Sequence, residues 1–482
     1  MDSLKPNTDS VDSRYDIVMH TWGCKVNTYD TGLLQARFAK SNLEAQAENA
    51  SAKPRVHISS AKPRVHILNT CAVTEEASRE AARQIRRIKS KEPLSKVVVT
   101  GCGAQVDGGI FDAMPGADLI VANSHKGEIE GLIDRLFNGT LNASGSGKVF
   151  RSNIFRKEEL EEGGGLENDH TRAFLKIQDG CNSFCSYCVI PFARGKSRSI
   201  PADRLVSRVN ELERLGAREV VITGVHIADY EEVSNGKIRH LDDLVELILE
   251  KTTIPRIRIS SLEPVELSSR LIAMYEKNAR LCRHFHLSIQ SAQTGTLQRM
   301  RRRYTAEDVE RIFNEIKTKL PDAFVGLDLI VGFPGETEAE FQETYARLYS
   351  TPWTRIHVFP YSERPGTKAL KLEDSVPVAI RARRAALIRE LSQARVSELA
   401  EHVIGREAKG LVLRKSSEKS AAKPGRDIQD FSEFQLLTRN YWPVRVRSAP
   451  LEPGAEINVK MLRFIKPTNG RMDGWFEGEV AF

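Results

Sequence analysis

Between Tyr15 and Tyr361, ten short apolar runs rich in Val, Ile and Leu alternate with stretches of helical period, which restricts the chain to the α/β class. The first series is YDIVMH, VHILN, KVVVT and DLIVAN, with helices from Asn27 and Thr74, and it predicts a doubly wound domain on a mostly parallel sheet. Residues 157–170, KEELEEGGGLENDH, are charged and Gly-rich with neither period, and read as linker. A second series follows: RAFLKIQ, EVVITG, RIRISS, HFHLSIQ, FVGLDLIVGF and RIHVFPY, with helices expected from Asp203, Leu241, Val265, Thr305 and Thr337. Six βα units predict an open, partial (βα)6 barrel whose functional residues belong on loops at the strand C-termini. After about Val403 come short alternating runs, EAKGLVLRK, YWPVRVR and EINVKMLRF, divided by Gly and Pro as in a small β-barrel. The expected division is therefore 14–150, a linker at 151–170, 171–402 and 403–482. SAKPRVHI occurs at Ser51 to Ile58 and again at Ser60 to Ile67, and only the second copy leads into a strand; the first reads as a surface-loop insertion.

No apolar run reaches membrane-spanning length, and the polar, acidic start MDSLKPNTDSVDSRYD lacks the pattern of a secretory or mitochondrial leader. A cytoplasmic address with no membrane partner is expected. A formal charge of +7 spread over 482 residues is compatible with an anionic partner without requiring one. Seven cysteines, an odd number, in a reducing compartment argue against a disulfide framework and for metal ligation or catalysis.

Their positions are the most specific feature. Cys181, Cys185 and Cys188 lie in GCNSFCSYC, directly after the first strand of the second series. Three thiolates at this spacing can wrap one corner of a compact cluster, and soft thiolates favour iron-sulfur or zinc over hard cations. With three ligands, a 4Fe-4S cluster keeps one iron open to a chelating small molecule; a zinc knuckle with a remote fourth ligand is the alternative. Cys24, Cys71 and Cys102 are far apart, yet each follows a strand of the first series, in MHTWGC, ILNTC and VVVTGC. The C-terminal ends of neighbouring parallel strands share one edge, so these three can converge as a second thiolate site. Otherwise they are unrelated packing cysteines. Cys282, before HFHLS, reads as structural.

TWGCKVN, LNTCAVTEEA, TGCGAQ, GCNSFCSYCVIPFARGKSRS, ITGVHI, SSLEP, HLSIQS, RMRRRYT, VGFPGET and PYSERPGT, in this order, resemble the methylthiotransferase branch of the radical S-adenosylmethionine (SAM) family over nearly the whole chain. CKVN, CSYCVIPFARGKSRS, TGVHI and RMRRRYT are most similar to the enzymes acting on N6-threonylcarbamoyladenosine, next to the tRNA anticodon on its 3′ side. Sister enzymes act on isopentenyladenosine or on an aspartate of a ribosomal protein. Ala292 departs from the family, where Gly commonly follows the QS pair. The resemblance implies an N-terminal methylthiotransferase domain, a central radical-SAM barrel and a C-terminal TRAM domain, an RNA-binding β-barrel.

The resemblance also implies two 4Fe-4S clusters. Adenine C2 carries an unactivated C–H bond, so the cofactor must carry the hard chemistry. The cluster on Cys181, Cys185 and Cys188 would reduce bound SAM to methionine and a 5′-deoxyadenosyl radical that takes the hydrogen. The cluster on Cys24, Cys71 and Cys102 would hold or supply the sulfur, and a second SAM the methyl group. An electron donor and a sulfur donor are the further partners. Tyr187, the aromatic residue before the last motif cysteine, and Gly224, Glu263, Gln290 and Asp328, at or near strand ends, are the expected SAM-binding residues, with ordinary strand-end turns as the alternative.

From Val403 to Phe482 there are 14 Lys and Arg against 10 Asp and Glu, interleaved with Tyr441, Trp442 and Trp475. That pattern suits phosphate pairing and base stacking on a single-stranded loop such as a tRNA anticodon loop, or an ordinary solvated barrel. ARGKSRS and RMRRRYT add charge near the expected mouth, and Arg194, Arg198 and Arg301 are candidate partners for a threonyl carboxylate. Two other classes stay open: a non-enzymatic iron-sulfur protein that binds RNA, and a radical-SAM enzyme with a protein substrate.

Overall fold

The computed structural model describes residues 14–50, 62–141, 147–164, 171–234, 236–415, 432–466 and 474–481. Strands β1 (Asp16–Thr21), β2 (Arg64–Thr70), β3 (Lys96–Thr100), β4 (Leu119–Ala122) and β5 (Val149–Phe150) form a parallel sheet in chain order. Alternate strand side chains point to opposite faces, so both faces need cover. Val65, Ile67, Val98 and Val121 pack with Leu34 and Phe38 of α1 (Lys25–Ala50) and with α5 (Ile129–Phe137). Leu68, Val97, Val99 and Ile120 pack with Ile85 and Ile88 of α2 (Glu75–Lys91) and Phe111 of α4 (Gly108–Phe111), which follows α3 (Gly101–Val106). Thr74 caps α2, its side chain accepting a hydrogen bond from the Ala77 amide. The strand order has no reversal, so no topological switch point marks a ligand edge. The first SAKPRVHI copy lies outside the described residues; the second leads into β2.

The central unit has six parallel strands in the order β6 (Arg172–Asp179), β8 (Glu219–Gly224), β11 (Arg256–Ile259), β12 (His284–Gln290), β13 (Phe324–Val331) and β14 (Arg355–Pro360). A short antiparallel strand, β7 (Arg198–Ser199), tags β6, and β9 (Glu232–Ser234) pairs with β10 (Lys237–Arg239). The helices are α6 (Ile190–Arg194), α7 (Ala202–Arg214), α8 (Leu241–Lys251), α9 (Ser269–Lys277), α10 (Thr294–Arg299), α11 (Ala306–Lys319), α12 (Glu338–Ser350) and α13 (Val378–Glu401). Thr305 and Thr337 open α11 and α12 through capping boxes with Asp308 and Glu340. α9 begins at Ser269 rather than Val265, because Pro264–Glu266 form a 3-10 turn and Ser268 is the cap. The barrel stays open between β6 and β14; α1 lies against β6, and α13 covers β14, where Ser392 Oγ accepts from the Ile356 amide at 2.9 Å.

The segment read as linker is held from both sides. Arg37 of α1 reaches Glu161 at 3.1 Å, while Arg208 of α7 donates to the carbonyls of Gly163 and Gly164 at 2.8 and 2.9 Å.

Strands β15 (Glu407–Lys415), β16 (Ser432–Thr438), β17 (Pro443–Ser448), β18 (Glu456–Ile465) and β19 (Trp475–Val480) close a barrel in the order β15-β16-β17-β19-β18. It plugs the N-terminal end of the central strands, opposite the cysteine loops. Buried Glu219, at the start of β8, accepts from Arg256 Nε at 2.7 Å and Arg258 Nε at 2.9 Å, and Arg256 continues to Glu456 at 2.7 Å. Tyr441 stacks on His284 with ring centroids 3.8 Å apart, and Trp442 is 5% exposed in the barrel core. The expectation that Tyr441 and Trp442 stack on RNA bases is therefore corrected: their faces are spent on docking this barrel. Trp475 is half-buried under the Arg445 guanidinium, 4.0 Å from its ring. Cys282 is buried beside Glu219. Among the described residues, no helix is long and apolar enough to cross a membrane.

Candidate metal centres and active site

β6 ends at Asp179, and Gly180 turns the chain into the loop carrying Cys181, Cys185 and Cys188. Gly180 has φ +82°, and a Cβ there would lie 1.9 Å from the Lys196 carbonyl oxygen, so the turn requires glycine. Three backbone bonds pin the loop: Cys181 N to Gly195 O at 3.1 Å, Ser186 N to Met300 O at 3.1 Å, and Ala369 N to Ser186 O at 2.7 Å. Burial, with Cys185 alongside, pushes the Cys188 thiol up to about 12. At Cys181 burial acts upward too, but hydrogen bonds from the His226 ring and the Ser183 amide reverse it and leave that thiol below its ordinary value. Cys185 and Cys181 both act to raise the Cys188 thiol, and thiols that oppose one another's ionisation are relieved by a bound cation, which fits a metal cluster.

His226, just beyond β8, places Nδ1 3.8 Å from Cys181 Sγ and 3.1 Å from Asp229, while Nε2 contacts Glu266 and lies 3.6 Å from Glu263. Burial opposes its charge, yet Asp229, Cys181 and Glu266 raise it to about 12, so it is an imidazolium. Arg302 links two expected SAM residues, donating to Tyr187 OH at 2.7 Å and contacting Glu263. Gly224 lies against Gln178: a Cβ there would be 2.9 Å from the Gln178 carbonyl, and Gln178 Oε1 accepts from the amides of Val225 and His226 at 3.1 and 2.9 Å. Tyr187, Gly224 and Glu263 are thus gathered around the cysteine loop. Gln290 ends β12 with φ +60° after a register shift, and Asp328 on β13 pairs with His286 at 2.9 Å. Neither bonds to that set among the described residues.

Cys24, Cys71 and Cys102 follow β1, β2 and β3 on one sheet edge. Gly23 has φ +101°, and a Cβ there would lie 2.7 Å from Cys71 Sγ, so the Cys24 turn folds directly onto Cys71. Burial, with Cys24 and Cys102 nearby, pushes the Cys71 thiol up to about 12. Val189 and Ala193, on the segment after Cys188, pack on Ala72 and Cys102. The two cysteine edges therefore share one junction.

A buried charge network fills that junction. Arg194 Nε donates to Cys102 Sγ at 3.2 Å, Nη1 to both Asp179 oxygens at 3.0 and 3.1 Å, and Nη2 to Asn27 at 2.7 Å and Asp30 at 3.1 Å. Lys126 and Lys176 reach Asp30 at 3.0 and 2.9 Å. Three basic groups face two carboxylates, an excess of one positive charge that a thiolate at Cys102 would neutralise. Arg194 is 3% exposed and saturated, so the expectation that it meets a substrate carboxylate is corrected. Arg198 is likewise committed, donating to the carbonyls of Lys157, Glu159 and Arg194. Arg301 stays exposed, with φ +61°. Sequence reasoning missed Asp30, Lys126, Lys176, Asp179, His226 and Arg302. The usable signal was charge inside an apolar strand, as in RAFLKIQD.

The radical SAM superfamily model matches residues 175–348, and that of uncharacterized protein family UPF0004 matches residues 16–122. The threonylcarbamoyladenosine tRNA methylthiotransferase MtaB of Aquifex aeolicus (strain VF5) is 34% identical, covering 92% of this chain and 99% of its own. The protein of the same name from Bacillus subtilis (strain 168) is 32% identical, covering 94% and 95%. Among solved structures, the radical S-adenosylmethionine methyltransferase TsrM from Kitasatospora setae, with cobalamin and a [4Fe-4S] cluster bound, shares the fold: TM-score 0.50 at 16% identity, over 74% of this chain and 77% of that one. Similarity that runs the length of both chains and takes in both cysteine edges makes this chain a member of the MtaB family of radical-SAM methylthiotransferases.

Proposed function

We propose that this protein attaches a methylthio group to adenine C2 of N6-threonylcarbamoyladenosine in tRNA, 3′ of the anticodon. The observation that carries this reading is the meeting of two three-cysteine edges at one junction, in a chain whose relatives bear that activity in their names over their full length. Cys181, Cys185 and Cys188, all free thiols, would hold one 4Fe-4S cluster, and Cys24, Cys71 and Cys102 a second. When bound, the clusters and SAM supply one-electron cleavage chemistry for an unactivated C–H bond and an iron that carries sulfur.

The chain's own residues bind and orient. Tyr187, Gly224, Glu263, Gln290 and Asp328 form the SAM side; the missing Cβ of Gly224 lets that strand end close on the Gln178 carbonyl. Arg302 locks Tyr187 and Glu263 in place. The His226 imidazolium sets a positive charge and a hydrogen-bond donor beside Cys181 Sγ. Arg194 does the same for Cys102 Sγ while tying the two edges together. Arg301, exposed just after α10, is the arginine for the threonyl carboxylate. An electron donor and a sulfur donor complete turnover.

A pocket built to hydrogen-bond that carboxylate leaves polar groups unpaired with the apolar isopentenyl analogue, a discrimination on the order of 10⁴-fold. The test presents purified protein with tRNAs carrying either modification and analyses digested nucleosides by mass spectrometry. The methylthio mark is expected on threonylcarbamoyladenosine; a mark only on isopentenyladenosine, or only on ribosomal protein, overturns the reading.

A further inference from the structure

Phe155, Phe184 and Phe192 form a cluster that the core does not absorb. Phe155 stacks on Phe184 with centroids 6.2 Å apart and meets Phe192 edge-on at 5.9 Å, and Phe184 meets Phe192 edge-on at 6.1 Å. Phe184 is 38% exposed and Phe192 43%, although large aromatic side chains normally gain by burial. Phe184 also has φ +48°, a conformation rare for a bulky residue and one that clusters at functional sites. It lies between Cys181 and Cys185, so the loop that carries the cysteines accepts backbone strain to set a partly exposed ring on the surface.

The cluster stands where the two cysteine edges meet. Phe192 lies on α6, the helix whose Ala193 packs on Cys102 and whose last residue, Arg194, donates to Cys102 Sγ. Exposed cations flank it. Arg156 follows Phe155 and Lys196 follows α6, while on the other side of the loop Ser186 bonds to the carbonyls of Arg299 and Met300, which sets exposed Arg301 and Arg303 along that flank.

We infer that Phe155, Phe184 and Phe192 are a stacking platform for an unpaired nucleobase next to the modified nucleotide, with Arg156, Lys196 and Arg303 taking the phosphates on either side. This rests on the tRNA reading above. Flat rings framed by positive charge suit single-stranded RNA, because every base offers a π-face and every linkage a negative charge. The platform holds the loop while the SAM side acts on the adjacent adenine, and it takes over the stacking role that Tyr441 and Trp442 cannot fill.

The test uses the full-length, cluster-loaded protein and an anticodon stem-loop RNA that carries threonylcarbamoyladenosine with 2-aminopurine at the neighbouring loop position. Phe184→Leu, Phe192→Leu and Phe155→Leu keep apolar volume and remove the π-face. Wild type should quench 2-aminopurine fluorescence on binding. Phe184→Leu and Phe192→Leu should weaken binding by about fivefold or more, the range for one lost base–aromatic stack, and lose the quench at full iron content. If Phe184→Leu loses iron, Phe192→Leu and Phe155→Leu decide the matter, since both lie outside the cysteine loop. Wild-type binding matched by the variants, with equal quench, overturns the platform and leaves the tRNA assignment standing. Failure of wild type to bind the stem-loop overturns both.

Discussion

Replacing Asp30 by Asn tests whether charge ties the two cysteine edges together. The Asp30 side chain is 4% exposed and accepts from Lys126 at 3.0 Å, Lys176 at 2.9 Å and Arg194 at 3.1 Å. Lys176 and Arg194 belong to the central barrel, so this one carboxylate spans the junction. Asn is the same size but neutral, and it leaves three buried cations facing Asp179 alone. Removing one partner of a buried ion pair costs roughly 3–5 kcal/mol, because an uncompensated charge stays behind. At roughly 2–4 °C per kcal/mol for a cooperative unit of this size, the unfolding midpoint should fall by about 10 °C. Calorimetry of both proteins at pH 7 measures it, and a pH series checks the cause. Burial pushes both carboxyls up, but the surrounding cations more than reverse it, holding Asp30 well below the carboxylate range and Asp179 at about 2. A carboxyl whose pKa is lower folded than unfolded contributes stability that is complete above about pH 4 and lost as pH falls through the folded value. The gap between the proteins should therefore be full at pH 7 and narrow below about pH 4. A variant within about 2 °C of wild type at pH 7 refutes the tie.

Other perturbations separate the sites. Replacing Cys24, Cys71 and Cys102 by Ala should lower bound iron from about eight to about four per chain and preserve reductive SAM cleavage; loss of cleavage in the folded protein would refute the division of labour. Gly180→Ala drives a Cβ into the Lys196 carbonyl oxygen, so iron should fall by half and SAM cleavage should disappear, whereas normal iron content would show that the turn can relax. Glu219→Gln leaves Arg256 and Arg258 buried without a full counter-charge at the floor of the barrel, and roughly 3–5 kcal/mol should be lost, seen as a lower thermal midpoint and earlier proteolytic release of residues 407–481; an unchanged midpoint would show that the docking is apolar alone.

Much of this protein is decided within short stretches of chain. Apolar runs such as VVVT and DLIVGF commit to buried parallel strands because they are short, rich in β-branched residues and closed by glycine, and Thr74, Thr305 and Thr337 start helices through their own side chains. The spacing of Cys181, Cys185 and Cys188 fits three thiolates into one turn, so that site is legible without a fold. The trio Cys24, Cys71 and Cys102 is legible only through the rule that parallel strands end on a common edge. Charge was the poor guide. Arg194 and Arg301 look alike in sequence, yet one is locked under Cys102 and the other is in solvent, because burial depends on which distant carboxylates arrive: Asp30 from 164 residues away and Asp179 from 15. Tyr441 and Trp442 misled for the same reason. An aromatic pair between basic residues is equally suited to RNA or to a neighbouring ring, and only the docking of the closed barrel under His284 and Phe324 chose the second. Local pattern fixes what a segment becomes; which charges and rings meet is set by long-range packing, where desolvation admits a buried charge only if its partner arrives with it.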